Sequence, residues 1–328
     1  MLKLIGQRFE KPVPVMVAGW PGMGNVGLGA CDYLRRQLDA RPYARVDISG
    51  LATPEAIEVA DGIGRITPLP DHVLHIVEEP PLFLFEAETQ LPGPAGNAVA
   101  RELLDFAASH GVLTVYTGAA FATPMSICDE SEVFGVATDR RLRDSFGAYG
   151  VKPLKEGRVS GLNGLLLGLA GARGLPAACF LATMPQYAVQ TANPRASRAL
   201  VRVFERILNT SVDTAELDRE VTEVDRLLTE FETRVGDAVR SLQERLAEQT
   251  GDRQEKQAPA EEEQPDPHVM MERIERLFER VGRDRSLAPE LKNELDRLGL
   301  FRLYEDRFLD LFDSSRGGRD PGRRPAGD

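Results

Sequence analysis

The fold of this chain is decided by Val13-Pro-Val-Met-Val-Ala-Gly-Trp-Pro-Gly-Met-Gly-Asn-Val-Gly27. Its first six residues form an apolar run that is typical of a buried strand, and from Met23 onward apolar and small residues recur at helical spacing. A glycine turn between a strand and a helix directs backbone N–H groups and the positive end of the helix dipole at one point. The candidate ligand or interface residues of this first turn are therefore Trp20, Gly22, Gly24, Asn25 and Gly27.

A second glycine turn, Ser160-Gly-Leu-Asn-Gly164, opens a predicted helix at 161–172. Glycine recurs at steps of three, four and three, which places Gly161, Gly164, Gly168 and Gly171 on one helix face. Each glycine costs about 1 kcal/mol relative to alanine in a helix interior, so close backbone packing must offset roughly 4 kcal/mol. We expect this face to pack against the sheet or the first turn. The alternative is direct ligand contact through Ser160 and Asn163.

Apolar runs of the β type alternate with helical patterns from residue 13 to about residue 210. The runs lack polar alternation, as strands do when helices cover both faces of a sheet. We therefore predict an α/β fold with a mostly parallel sheet between two helical layers. The predicted strands are 13–18, 45–48, 56–59, 73–77, 112–117, 133–137 and 178–183, and the predicted helices begin at 23 and at 96, 139, 161 and 194.

The C-terminal third differs in kind. From Leu217 to Leu242, apolar residues step by four and three over nearly four heptads, which predicts a coiled-coil helix. A later segment has its own helical pattern and can cover that stripe as a helical hairpin. The predicted organisation is an α/β core domain at 1–212, a long heptad helix at 213–249, an acidic flexible linker at 250–267, a C-terminal helical segment at 268–312 and a disordered tail at 313–328.

The charge distribution restricts the class of partner. Most of the formal net charge of −11 lies in residues 213–267, on an otherwise nearly neutral chain. Because phosphate backbones are bound by clustered Lys and Arg, we expect no nucleic-acid partner. No apolar run approaches the roughly 20 residues that span a bilayer, and the first ten residues lack the pattern of a signal peptide. We expect a cytoplasmic protein without a membrane partner.

Candidate chemical groups are sparse. Cys31, Cys128 and Cys179 are expected to be reduced core thiols, and the four histidines follow no metal-ligand or nucleophile–base spacing. The paired acids at 78–79 and 129–130 are interpreted as solvated surface residues. We predict no catalytic residue, no metal site and no cofactor. These expectations favour a non-enzymatic protein, and an enzyme remains the alternative.

The first turn matches the dinucleotide pattern G-x-G-x-x-G, and Asp47 follows Gly27 by 20 residues. Two departures count against a nicotinamide or flavin site. Trp20 and Pro21 lengthen the turn, and the residues after Asp47 lack the pattern of a second crossover helix.

Five segments together resemble the proteasome assembly chaperone family, chaperone-2 type. They are Ala18-Gly-Trp-Pro-Gly-Met-Gly-Asn-Val-Gly27, Tyr116-Thr-Gly-Ala119, Val133-Phe-Gly-Val-Ala-Thr-Asp139, Val159-Ser-Gly-Leu-Asn-Gly-Leu-Leu-Leu-Gly168 and Ala182-Thr-Met-Pro-Gln-Tyr187. The resemblance implies a body similar to the nucleoside phosphorylase and peptidyl-tRNA hydrolase fold. It also implies a homo-oligomer, a trimer or higher, that binds protein partners such as a proteasome-like assembly. Some archaeal relatives use a terminal hydrophobic-Tyr-any-residue motif. This chain ends in Pro325-Ala-Gly-Asp328, so we expect no docking by that route.

Two hypotheses about function follow. The first is a non-enzymatic, oligomeric protein-binding scaffold or assembly chaperone. The second is a small-molecule binding protein or hydrolase that takes a nucleoside or an anion where strand ends converge. Its candidate residues are the first turn with Asn25, together with Thr117, Gly118, Ser160 and Asn163.

Overall fold

The computed structural model describes residues 2–54, 56–230, 233–234 and 267–297, together with residues 304, 308 and 311. The chain divides into two compact units, Met1–Asp225 and Arg226–Asp328. The later heptads, the predicted acidic linker and the predicted tail lie outside the described residues. Among the described residues, no helix combines the length and the apolar character that crossing a membrane requires.

The first unit is built on a nine-stranded sheet in the order β1-β3-β6-β7-β2-β8-β11-β9-β10. Its centre is parallel, because β2 pairs in parallel with β7 and β8, and β8 pairs in parallel with β11. Antiparallel pairs lie on either side of this centre. The strands are β1 (Leu2–Leu4), β2 (Val15–Gly19), β3 (Arg41–Val46), β4 (Ile57–Ala60), β5 (Ile63–Ile66), β6 (His72–Val77), β7 (Leu82–Ala87), β8 (Thr114–Thr123), β9 (Val133–Ala137), β10 (Lys152–Pro153) and β11 (Ala177–Pro185). Strands β4 and β5 form a separate hairpin.

Two pairs of helices, α1 with α5 and α2 with α4, cover the sheet. The first helices that follow β2 in chain order are α1 (Val26–Gln37), α2 (Gly93–Ser109), α3 (Arg140–Asp144), α4 (Gly161–Gly171), α5 (Pro194–Leu208) and α6 (215–230). Helix α1 packs on α5 and helix α2 packs on α4, and both pairs contact β8. Successive residues of β8 face opposite layers, as strand geometry requires. Val115 belongs to the core shared with α2 and α4, whereas Tyr116 stacks on Phe180, which in turn contacts Phe204 of α5.

The α/β fold predicted for residues 13 to about 210 is confirmed, but several strands and helices differ from their predicted bounds. Strand β3 begins at Arg41 and ends at Val46, earlier than the predicted 45–48. Strand β7 was not predicted, although its Leu-Phe-Leu-Phe run at 82–85 carries the signal. It pairs antiparallel with β6 across a short turn, so no helical segment separates the two strands. The predicted helix at 139–146 is shorter, because α3 ends at Asp144 and a 3₁₀ turn follows at Phe146–Tyr149.

The start of the heptad stripe belongs to the first unit. Leu217 and Val221 on α6 are buried, and the Leu217 N–H donates to the Tyr33 hydroxyl of α1 at 3.4 Å. Arg198 of α5 donates to Asp218 at 2.7 Å. The body itself therefore covers the first heptad positions.

The second unit contains α7 (Pro267–Arg283) and α8 (Ala288–Arg297), joined by a 3₁₀ turn. The two helices pack on each other. Ile274, Val281, Leu291 and Leu295 are buried between them. The described part of the C-terminal extension is thus helical, as predicted.

Candidate functional site

The first glycine turn is a close contact between two backbones. Gly27 in the first turn of α1 lies against Gly118 of β8, and a Cβ on Gly27 would fall well under 3.0 Å from the Gly118 carbonyl oxygen. A Cβ on Gly118 would meet Leu200 of α5 at 2.7 Å. Gly27 and Gly118 are therefore needed because helix and strand approach closely, which is one of the uses of glycine.

Two N–H groups of this turn, those of Gly24 and Asn25, already have acceptors within the chain. The Gly24 N–H donates to the Val189 carbonyl at 2.8 Å, and the Asn25 N–H donates to the Gly22 carbonyl at 2.9 Å. Gly24 has a φ of 58°, which favours glycine. The Asn193 N–H donates to the Gly24 carbonyl at 2.9 Å. An anion at this point would have to displace these bonds.

Two side chains that the sequence did not single out lock α5 to the first turn. Asn193 caps α5 by accepting from the Ala196 N–H at 2.9 Å. The Ser197 hydroxyl donates to the Val26 carbonyl at 3.1 Å. The Asn-Pro pair at 193–194 predicts a helix start, but its contact with Gly24 depends on tertiary packing.

Asn163 joins the two glycine turns. The Trp20 N–H donates to Asn163 Oδ1 at 3.1 Å, and Asn163 Nδ2 donates to the Trp20 carbonyl at 3.2 Å. The Thr117 hydroxyl donates to the Asn163 carbonyl at 2.9 Å. Trp20, Thr117 and Asn163 are all buried. The Asn163 side-chain amide therefore pairs with the Trp20 N–H and carbonyl in the way that the backbone of a neighbouring strand would.

Gln90 forms a second link that sequence reasoning missed. Its amide donates to the Pro21 carbonyl, and its oxygen accepts from the Leu162 N–H at 2.9 Å. Gly161 has a φ of 77° and places its Cα beside the same amide. No local pattern marks Gln90, because both of its partners are distant in sequence.

The predicted site residues thus divide into two groups. Buried together in or beside the two linked turns are Trp20, Gly24, Gly27, Thr117, Gly118 and Asn163. Gly22, Asn25 and Ser160 are exposed. Ser160 precedes α4 without a side-chain capping bond.

The close packing predicted for the second glycine stripe is present only in part. A Cβ on Gly164 would meet Val159 at 2.6 Å, and a Cβ on Gly171 would meet Thr138, just after β9, at 2.9 Å. Gly161, Gly168 and Gly171 are exposed, and no heavy atom lies within 4 Å of a Cβ placed on Gly168. Helix α4 instead buries Leu162, Leu166 and Ala170, which recur at steps of four. The large apolar side chains, rather than the glycines, decide which face of α4 meets the core, because they remove more apolar area from water.

The thiols near the site are not nucleophiles. Burial raises the pKa of Cys31 well above its ordinary value and raises the pKa of Cys179 to about 11. Both remain protonated at neutral pH, and the thiolate is the reactive form. Cys128 is exposed, so its prediction as a core thiol is wrong. It lies in a turn of the loop between β8 and β9 rather than on an apolar strand.

Two titratable side chains with shifted pKa values, Glu86 and His75, lie on the neighbouring strands β7 and β6. Glu86 faces Gly19 across the β2–β7 pairing, and burial raises its pKa to about 7 although Arg35 donates to it at 2.9 Å. Burial, and next Arg35, lowers the pKa of His75 to about 4. Among the described residues, no group of three or more His, Cys, Asp or Glu side chains suits a metal ion.

Asp47 is remote from the first turn. Strand β3 is separated from β2 by β6 and β7. The Asp47 carboxylate accepts from Lys3 at 2.8 Å and from the Ser49 hydroxyl at 2.7 Å. The acidic residue of the dinucleotide pattern is thus at the sheet edge, where it cannot reach a ligand at Gly22–Gly27.

A cavity of about 460 Å³ lies on the outer side of the first turn, between α1, α5 and the start of α6. Gly24 and Asn25 line it together with Tyr33, Asn193 and Leu217. Its rim carries acidic side chains from α1 and α6. A small molecule in this cavity would contact the first turn at Gly24 and Asn25.

The sequence matches the model of the PAC2 family over residues 16–232, from β2 into α6. The chain belongs to the PAC2 family. The resemblance drawn from the five sequence segments is confirmed at this level. No curated protein matches the sequence.

Solved structures of PAC2-like proteins share the fold. Pyrococcus furiosus PbaB, described as an archaeal proteasome activator, has 21% identity and a TM-score of 0.59, covering 71% of this chain and 98% of PbaB. Pyrococcus furiosus PbaA, an archaeal homolog of proteasome-assembly chaperone, has 24% identity and a TM-score of 0.57, covering 76% and 98%. A proteasome-assembly chaperone homologue from Mycobacterium tuberculosis has 23% identity and a TM-score of 0.57, covering 66% and 94%.

Proposed function

We propose that this PAC2 family protein is a non-enzymatic, homo-oligomeric scaffold of three or more copies that assists the assembly of a protein complex in the cytoplasm. Its partner is a protein component of a proteasome-like assembly. The finer fold is that of the nucleoside phosphorylase and peptidyl-tRNA hydrolase type. The later heptads form a coiled coil, within one chain or between copies.

One observation carries the proposal. The turn that most resembles a ligand loop is filled by the backbone contact between Gly27 and Gly118, and its Gly24 and Asn25 N–H groups have acceptors within the chain. The described residues around it offer protonated thiols rather than a nucleophile. A stable joint between α1 and β8 is useful to a scaffold, because it holds a binding surface rigidly. The names of the structural relatives supply the kind of partner.

The test uses the purified full chain and purified proteasome α-type subunits. Light scattering of the chain alone should give a multiple of 36.1 kDa. Mixing the two should give a complex of fixed stoichiometry or a faster formation of subunit rings. An unrelated acidic protein at the same concentration is the control. A 36.1 kDa monomer that neither binds the subunits nor changes their assembly rate would contradict the proposal.

A second candidate function rests on the cavity beside the first turn. Its volume of about 460 Å³ lies within the roughly 300–1,000 Å³ of small-molecule sites. If it binds a nucleoside or an anion, adenosine, AMP or inorganic phosphate should raise the melting temperature in proportion to concentration. Val224→Phe, which fills the cavity from α6, should remove that rise. No rise with any of the three compounds excludes this candidate.

A further inference from the structure

The β4–β5 hairpin has one apolar face and one charged face. Ile57 lies directly opposite Ile66, and Val59 lies two residues further along the same face. Glu58 is opposite Arg65 on the other face. Ile57, Val59 and Ile66 are 61%, 66% and 71% exposed. In most strands the apolar face of such an alternating pattern packs against a core, but in this hairpin the apolar face is exposed to solvent.

This hairpin is a poor candidate for an isolated surface structure. All eight of its strand residues are exposed, and its strands pair only with each other. A two-stranded hairpin on its own is marginally stable in water. Its exposed β-branched side chains and open edges are features that proteins normally cover. A partner that covers Ile57, Val59 and Ile66 would remove their apolar surface from water and stabilise the hairpin.

A groove of about 360 Å³ lies at the base of the same hairpin. Its wall includes Ala56, Thr67, Pro68, Leu91 and Pro92, and none of its described lining residues is charged. The hairpin cannot enter its own groove, because its two strands arise from the groove wall. The Thr67 N–H and hydroxyl both donate to the Ala56 carbonyl and close that base.

We propose that the apolar hairpin face, Ile57, Val59 and Ile66, docks in the base groove of a second copy of this chain. The inference rests on the proposed scaffold function and names the contact that assembles it. Each copy carries one hairpin and one groove, and the described residues of the docking face and of the groove lining are all uncharged. The hairpin and the groove cannot contact each other within one chain. Because the two patches differ, every hairpin and every groove is filled only in a closed assembly, which is either a ring of copies or a two-fold dimer that exchanges hairpins reciprocally. The Glu58 and Arg65 side chains stay on the solvent side.

The test is the mass of full-length variants by light scattering. Ile57→Lys places a charge on the docking face, and Ile63→Lys is a matched control, because Ile63 is also 61% exposed but lies opposite Ala60 on the other face. We expect Ile57→Lys to give 36.1 kDa and Ile63→Lys to keep the wild-type mass. The melting curve of Ile63→Lys should match the wild type, whereas Ile57→Lys should still unfold cooperatively but at a lower temperature, because it has lost the contact between copies.

A mixing experiment tests whether the hairpin of one copy enters the groove of another. Ala56→Arg obstructs the groove but leaves the hairpin intact, so it should also be a monomer. Ile57→Lys keeps its groove, so an equimolar mixture of the two variants should form a dimer of twice 36.1 kDa that grows no further. The proposal is overturned if Ile57→Lys keeps the wild-type mass, if Ile63→Lys dissociates equally, or if the mixture stays monomeric. A monomeric wild type instead overturns the scaffold itself.

Discussion

The two glycine turns have similar spacing in the sequence but opposite surroundings in the structure. At the first, Gly27 touches the backbone of β8, and the neighbouring N–H groups have acceptors. At the second, Gly168 faces open space while the leucines of α4 fill the core. A glycine pattern therefore marks a close approach only where another backbone is placed against it. The other glycines of the second stripe do have neighbours, because a Cβ on Gly164 would meet Val159 at 2.6 Å and a Cβ on Gly171 would meet Thr138 at 2.9 Å.

The largest effect is expected from Gly27→Ala. A methyl group there has no room against the Gly118 carbonyl, which is backbone and cannot rotate away. We expect a loss of about 3 kcal/mol or more in the free energy of unfolding, measured by urea titration. A loss under about 1 kcal/mol would mean that α1 and β8 can move apart to admit the methyl group and that the first turn is not tightly packed.

Asn163→Ala tests the link between the two turns. It leaves the Trp20 N–H and carbonyl buried without their partner, which should cost about 2–3 kcal/mol. Ser160→Ala is the matched control at the same helix start, since the Ser160 side chain is exposed and makes no capping bond. Its cost should stay within about 0.5 kcal/mol. Equal losses in the two variants would contradict the assigned role of Asn163.

Glu86→Gln tests whether the region beside the first turn is dry. Because the pKa of Glu86 is raised to about 7, the folded chain binds a proton more tightly than the unfolded chain does. That contribution to stability is full below the ordinary value of 4.5 and is lost as pH rises through about 7.

Between pH 5 and pH 8, the wild type should therefore lose about 1–2 kcal/mol relative to Glu86→Gln in urea titrations. Glu88→Gln, at the exposed position just beyond β7, should keep the wild-type pH dependence. A pH dependence that is the same in Glu86→Gln and the wild type would show that Glu86 is solvated.

The smallest effect is expected from Gly168→Ala, and it has the opposite sign. The Cβ meets nothing within 4 Å, and alanine is the better helix former. We expect a gain of about 0.5–1 kcal/mol in the free energy of unfolding. A loss of stability would mean that the face of α4 is already covered in the full chain.

The fold class was predictable because its signals are local. Apolar runs without alternation mark the central strands, and Asn193-Pro194 marks the start of α5 at its observed residue. The missed strand β7 is parallel to β2 and antiparallel to β6, and a short turn joins it to β6 where two parallel strands would need a helix. The shifted strand β3 belongs to the antiparallel side of the sheet.

The site was predictable only in part. The spacing of the glycines identified Gly27, and Thr117 and Asn163 were named as neighbours. Gln90 and Ser197 were missed because their bonds reach across the fold to Pro21 and Val26. Which face of α4 is buried depends on competition between leucines and glycines for the core, and glycine periodicity alone does not describe that competition.

We propose that the first glycine turn holds α1 closely against β8 and does not bind a ligand. Amide hydrogen exchange of Gly24 and Asn25 in the full chain tests it most directly. Because both N–H groups donate to carbonyls of the chain, we predict slow exchange that is unchanged by inorganic phosphate or AMP. Fast exchange that slows when either compound is added would contradict the claim, because it would show free donors that an anion occupies.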